Sequence, residues 1–260
     1  MKKIILPLLL ILAANINIVA QEMQTMYVAA KQGLNVMSKP NAKAKVLGKI
    51  AYGQKVTLAP YVAEIESPEN NTIVVDGFTG YWQKVTFNNK LGYVIDSYLF
   101  PVAPPKKDIV TLEAYFNQLS TIAGKSYVKN PGDPNLLGSG GDELTKKLYK
   151  NGMEIHKFLG YEYGSDLYIL PGFSIEKAFL LMRLLQAEPD LIGEKDSFPT
   201  ESSTTKLMGG REKTLTVEKT TYYDRPFVTK LQFDTADGAS IEFSIYTLDG
   251  QAVIFKSEGV

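Results

Sequence analysis

The stretch Pro101-Val102-Ala103-Pro104-Pro105-Lys106-Lys107 constrains this chain more than any other segment. Its prolines remove backbone N–H donors and fix φ, so neither a helix nor a central strand runs through it. The hydrophobic period differs on its two sides. Across residues 26–100, short β-branched or aromatic runs are broken by glycine, proline and asparagine: Tyr27-Val28-Ala29, Leu34-Asn35-Val36, Val46–Ile50, Lys55-Val56-Thr57-Leu58, 81–87 and Gly92-Tyr93-Val94-Ile95. Five or six such strands imply a small all-β barrel, with Asn88-Asn89-Lys90 as a tight hairpin turn. After the prolines, Leu112, Tyr115, Phe116, Leu119, Ile122 and Ala123 recur at helical spacing, with Thr111 as N-cap, Glu113 in the first turn and Gly124 as a stop. The expected organisation is two domains, 21–100 and 111–260, joined by a linker at 101–110.

Composition narrows the chemistry. The 260 residues carry 28 basic and 28 acidic side chains, one histidine and no cysteine. Disulfide scaffolds, thiol enzymes and histidine-rich metal sites are excluded. Met1-Lys2-Lys3, an apolar run and a small residue at Ala20 read as a signal peptide over 1–20. Without a cysteine there is no site for N-terminal lipid, so the expectation is an exported soluble protein, periplasmic or extracellular, and not a lipoprotein. The longest later apolar run, 178–185, is too short to cross a bilayer and contains Arg183. Stable membrane insertion is not expected. No basic stripe interleaved with aromatics points to nucleic acid.

The C-terminal half reads as α+β, with helices packed on an antiparallel sheet. A first helix follows Thr111, and Asp142 caps a short second one through Leu144, Leu148 and Tyr149. Residues 153–159 and 166–170 read as strands. Ser174 caps a helix over 175–186 that is apolar nearly all round and should be buried. The polar segment 190–211 reads as a long loop. From Glu212 onward, 214–223, 227–234, 239–247 and 252–256 form a meander with turns at Asp237-Gly238 and Asp249-Gly250.

Ordered blocks in the first half carry a resemblance. Gly33-Leu34-Asn35-Val36-Met37-Ser38-Lys39-Pro40, Val46-Leu47-Gly48, Tyr52-Gly53-Gln54-Lys55-Val56, Trp82-Gln83-Lys84-Val85, Gly92-Tyr93-Val94 and Ser97-Tyr98-Leu99 resemble the bacterial SH3 domain in its usual order, over residues 26–100. Met37 stands where the family usually has arginine. The connection 61–80 is longer than usual and reads as an added hairpin, Ile73-Val74-Val75 turning at Asp76-Gly77, near the groove edge. The resemblance implies a five-stranded barrel that binds peptide or cell-wall material. It assigns ligand-binding positions to Trp82 and Tyr98, with Tyr81 and Tyr61 as neighbours. The alternative for such aromatics is core or rim packing.

Catalytic residues are scarce. His156 is the one available imidazole, and on a strand it shares a face with Glu154 and Phe158, where a solvated role suffices. Asp142 and Glu143, beside Gly138-Ser139-Gly140-Gly141, are the remaining acid pair for a carboxylate glycosidase, but they also suit a helix start. Around Asp133 and Asp142, Leu137 and Leu144 fall where a calcium loop needs oxygen ligands. No catalytic residue, cofactor or metal is expected. The sequence points to an exported, non-enzymatic binding protein whose partner is a cell-wall peptide or an exported protein. A structural or inhibitory partner protein docking through the C-terminal half is the second reading, and the carboxylate-dependent cell-wall glycosidase the third.

Overall fold

The computed structural model describes residues 24–59, 72–133, 140–222, 225–237 and 239–259. The signal-peptide segment, Tyr61, Gly238 and Gly138-Ser139 of the glycine cluster before Asp142 lie outside them.

The first half folds into two antiparallel sheets. One orders β1 (Thr25–Val28) between β4 (Lys55–Thr57) and β8 (Leu99–Phe100). The other runs β3 (Val46–Ile50), β2 (Leu34–Met37), β7 (Lys90–Ile95), β6 (Phe78–Phe87), β5 (Thr72–Val75). A bridge between Leu58 and Val85 ties them together. Asn88 and Asn89 both take positive φ, as a two-residue turn matched to strand twist requires. The added hairpin is present, with β5 paired to the start of β6 through Asp76-Gly77. Val85 is fully buried and its neighbour Lys84 partly exposed, the alternation a pleated strand imposes. Met26, Val28, Leu34, Val36, Ile50, Val56, Leu58, Val85, Val94 and Leu99 form the barrel core.

The α+β expectation for the second half is corrected. The described residues are 53% strand and 12% helix, with two α-helices. The second half is mostly β, dominated by one nine-stranded antiparallel sheet. Its strands are β9 (Ile122–Asn130), β10 (Asp142–Tyr149), β11 (Glu154–Leu159), β12 (Tyr163–Leu170), β13 (Ser203–Lys206), β14 (Glu212–Tyr222), β15 (Arg225–Asp237), β16 (Ala239–Leu248) and β17 (Gln251–Gly259). They lie in the order β13-β14-β15-β16-β17-β12-β11-β10-β9. The expected helix after Asp142 is β10, hydrogen-bonded along its length to β9 and β11. Although Glu143, Leu144, Lys146, Lys147 and Leu148 favour a helix, eight residues make only two helical turns, and hydrogen-bonded ladders on both sides override that preference. Helix α1 (Leu112–Leu119) stops earlier than expected because Ser120 is extended, and Ile122 and Ala123 open β9 instead.

Helix α2 (Ile175–Leu185), capped by the Ser174 hydroxyl, is buried as its composition requires and packs on β15, β16 and β17. The segment 190–211, expected as a polar loop, contributes Leu191, Ile192 and Phe198 to the core and ends in the edge strand β13. Those three apolar side chains are what anchor it.

The core is shared across the two halves. Ala29, Phe78 and Phe100 belong to the same buried cluster as Phe173, Phe179 and Phe198. In β8, Leu99 points into the barrel and its neighbour Phe100 points to the ring of Phe173, 5.1 Å away. The proline stretch is tied down by side chains. Tyr52 Oη donates to Pro105 O (2.7 Å), Tyr115 Oη to Ala103 O (2.9 Å) and Gln118 Nε2 to Pro104 O (3.0 Å), while Lys106 N donates to Gln118 Oε1 (2.8 Å). Burial pushes the Tyr52 hydroxyl up to about 12, keeping it a neutral donor. No helix among the described residues is long and apolar enough to cross a membrane.

Candidate functional site

Phe78 fixes the geometry between the barrel and α2. Its ring stands 5.8 Å from Tyr98, 6.0 Å from Phe179 and 5.7 Å from Phe198, in tilted arrangements that suit the ring quadrupoles. One residue earlier, the tip of the added hairpin meets the backbone of Phe198. Phe198 N donates to Asp76 O at 2.8 Å, and Gly77 has φ +76°. A Cβ at Gly77 would stand 2.3 Å from Phe198 O, so only glycine fits.

Two clefts flank this contact. The first, of about 720 Å³, lies between the barrel and α2. Trp82, Tyr98, Met37 and Ile95 line its barrel side, Ile73, Val75 and Asp76 come from the added hairpin, and Leu180, Arg183 and Leu184 from α2. Trp82 is only 7% exposed, so little of the indole is open to solvent. The Tyr98 hydroxyl donates to Asp76 Oδ2 at 2.7 Å. Burial, and then that carboxylate, raise the phenol well above its ordinary value, so Tyr98 stays a neutral donor. Arg183 lies with its guanidinium 5.4 Å over the Phe78 ring and donates from Nε to Glu194 O at 3.0 Å. Lys31 and Glu194 pair across the cleft at 2.6 Å.

The second cleft, of about 970 Å³, opens on the other side of β6. Tyr81, Asp96, Ser97, Lys177, Phe198, Lys219 and Phe227 are among its lining residues. Tyr81 is 41% exposed, and its backbone N donates to Asp96 Oδ1 at 2.7 Å. Burial lowers the Lys177 amine, with Asp96 and Glu176 acting against it. Although larger, this cleft takes one of the expected aromatic positions and the first takes two.

The sequence-assigned residues therefore divide. Trp82 and Tyr98 meet in the first cleft. Tyr81 directly precedes Trp82 on β6, points to the opposite face and lies in the second, because consecutive strand residues alternate. Tyr61 lies outside the described residues. Met37, at the family's usual arginine position, is buried in the first cleft. Arg183, Leu180, Leu184 and Asp76 were not assigned from sequence. The one available signal was an arginine interrupting an apolar helix.

The other chemical candidates sit elsewhere. His156, on β11, contacts Glu154 Oε2 at 2.8 Å on the shared face its spacing implied. Asp142 and Glu143 are successive residues of β10 and point to opposite faces, with Glu143 paired to Lys129 at 2.8 Å. Among the described residues, no group of three or more His, Asp or Glu side chains is placed to hold a metal ion.

Comparison with known proteins identifies part of this architecture. Residues 32–100 match the family model of the bacterial SH3 domain. No curated protein and no solved structure matches the chain.

Proposed function

We propose that this chain is a non-catalytic binding protein that holds an extended peptide in the cleft between its SH3 barrel and α2, and that peptidoglycan peptide is the ligand class. The observation that supports this reading is the meeting of Trp82 and Tyr98 in one cleft of about 720 Å³ on the family-matched segment. An indole, a neutral phenol donor and aliphatic walls suit a chain with apolar stems and amide groups. The signal-like residues 1–20 support a ligand outside the cytoplasm, and fractionation with N-terminal sequencing of the mature protein tests that placement.

Sedimentation of the full chain with insoluble peptidoglycan tests the binding reading. Wild type should be retained, and Trp82→Ala should lose about 30-fold in affinity, the consequence of removing an anchor worth roughly 2 kcal/mol. Because Trp82 is largely buried, Trp82→Phe, with its fold checked by thermal melting, accompanies it. Retention of a folded Trp82→Ala variant equal to wild type would place the ligand elsewhere.

A further inference from the structure

We propose that Arg183 makes this cleft selective for peptides bearing a free carboxylate. The inference rests on the reading of the cleft as the peptide site and names the ligand group that the C-terminal half recognises.

Arg183 projects from α2 between Leu180 and Leu184, so one helix face offers a cation flanked by aliphatic walls. Its side chain is partly buried, and the ion pairs among the described residues do not include it. The Phe78 ring, the Glu194 carbonyl and the Tyr98 phenol hold the guanidinium in place without neutralising it. Nη1 is enclosed and has no hydrogen-bond partner among the described residues. A guanidinium so placed carries its full charge into a partly desolvated cleft, where a carboxylate gains most from a two-point bond.

The acids already in the cleft are engaged. Glu194 is paired with Lys31, and Asp76 accepts from Tyr98. Lys49 and Lys195 also line the cleft, giving four cationic side chains against two carboxylates. On this proposal the guanidinium turns over the Phe78 ring to present Nη1 to an entering carboxylate, with Trp82 and Met37 left to meet the apolar part of the same ligand. Peptidoglycan peptides carry such carboxylates.

Trp82 is the sole tryptophan, so its emission reports occupancy of the cleft directly. The test titrates the full chain with soluble muropeptides and with the same muropeptides after carbodiimide amidation, following Trp82 emission and calorimetric heat in parallel. Wild type should bind the free-carboxylate form at least about tenfold more tightly, as expected for a charge-assisted hydrogen bond. Arg183→Met, which keeps the stem over Phe78, should bind both forms alike, and Arg183→Lys should recover part of the preference. Equal binding of both forms by wild type overturns the role of Arg183 and leaves the cleft as the peptide site. Absence of both signals with either form overturns the cleft reading and this inference together. If Arg183→Met does not fold, Arg183→Lys decides: a preference reduced below wild type assigns the selectivity to the guanidinium, and an undiminished one assigns it to the lysines of the cleft and overturns the role of Arg183.

Discussion

The barrel and the junction beneath it are packed from different materials. The barrel core is almost entirely aliphatic, built of valine, leucine, isoleucine and Met26 on short strands. The junction with the second half is rich in rings, with Phe78, Phe100, Phe173, Phe179 and Phe198 in one cluster. Alternation along 75 residues is enough to assemble the first, because each strand supplies one small inward side chain at a time. Large rings at the junction reach across separately folded elements, and between their edges they leave the cleft that holds Trp82, Tyr98 and Arg183. The family-matched barrel therefore supplies only half of the candidate site.

The largest expected effect comes from the junction itself. Phe78→Ala should cost about 3–5 kcal/mol in denaturant unfolding and weaken muropeptide binding, while Leu99→Ala in the barrel core should cost about 3 kcal/mol. Amide exchange within the barrel separates the two. Protection should survive Phe78→Ala better than Leu99→Ala, and equal loss in both would mean that the two cores unfold as one.

A smaller perturbation sharpens the comparison at one backbone contact. Gly77→Ala meets both a positive φ and the Phe198 carbonyl, so it should destabilise by about 1–2 kcal/mol. Its effect should fall on the junction, read as faster exchange at the Phe198 amide, which donates to Asp76 O. Unchanged exchange there would remove the hairpin tip from the junction.

The smallest effect lies at the polar edge of α1. Glu113 is bonded by Lys147 and also pairs with Lys157 at 3.0 Å; the Lys147 bond is the main cause of a carboxyl pKa below its ordinary 4.5. A folded-state pKa lowered in this way contributes stability above the unfolded value and loses it as pH falls through the folded one. The stability difference between wild type and Glu113→Gln should be about 1 kcal/mol at neutral pH and vanish below the ordinary glutamate range. A difference that persists at low pH would assign the effect to packing rather than charge.

Legibility from sequence followed the range of the interactions. The hairpin turns at Asn88-Asn89 and Asp249-Gly250 were readable because two adjacent residues set their geometry, and all four central residues take positive φ. Strands were readable over the meander after Glu212, while its expected turn at Asp237-Gly238 falls partly outside the described residues. Residues 142–149 misled because Asp142 is a sound helix cap in isolation, and the ladders to β9 and β11 that override it join residues distant in sequence. Trp82 and Tyr98 could be assigned from the barrel's motif order. The separation of Tyr81 from them depended on the face each residue takes, which a shift of one position reverses.

Period and steric restriction among near neighbours encode the all-β barrel over 26–100, the break in pattern at the prolines and the buried helix before Pro189. Long-range packing alone sets the shared core of α2 and the barrel, the strapping of the proline stretch by Tyr52, Tyr115 and Gln118, and the arrival of Arg183 in the cleft beside Trp82. Residues some hundred positions apart meet there through packing, and packing energy depends on shape and burial across the whole molecule, which no local pattern records.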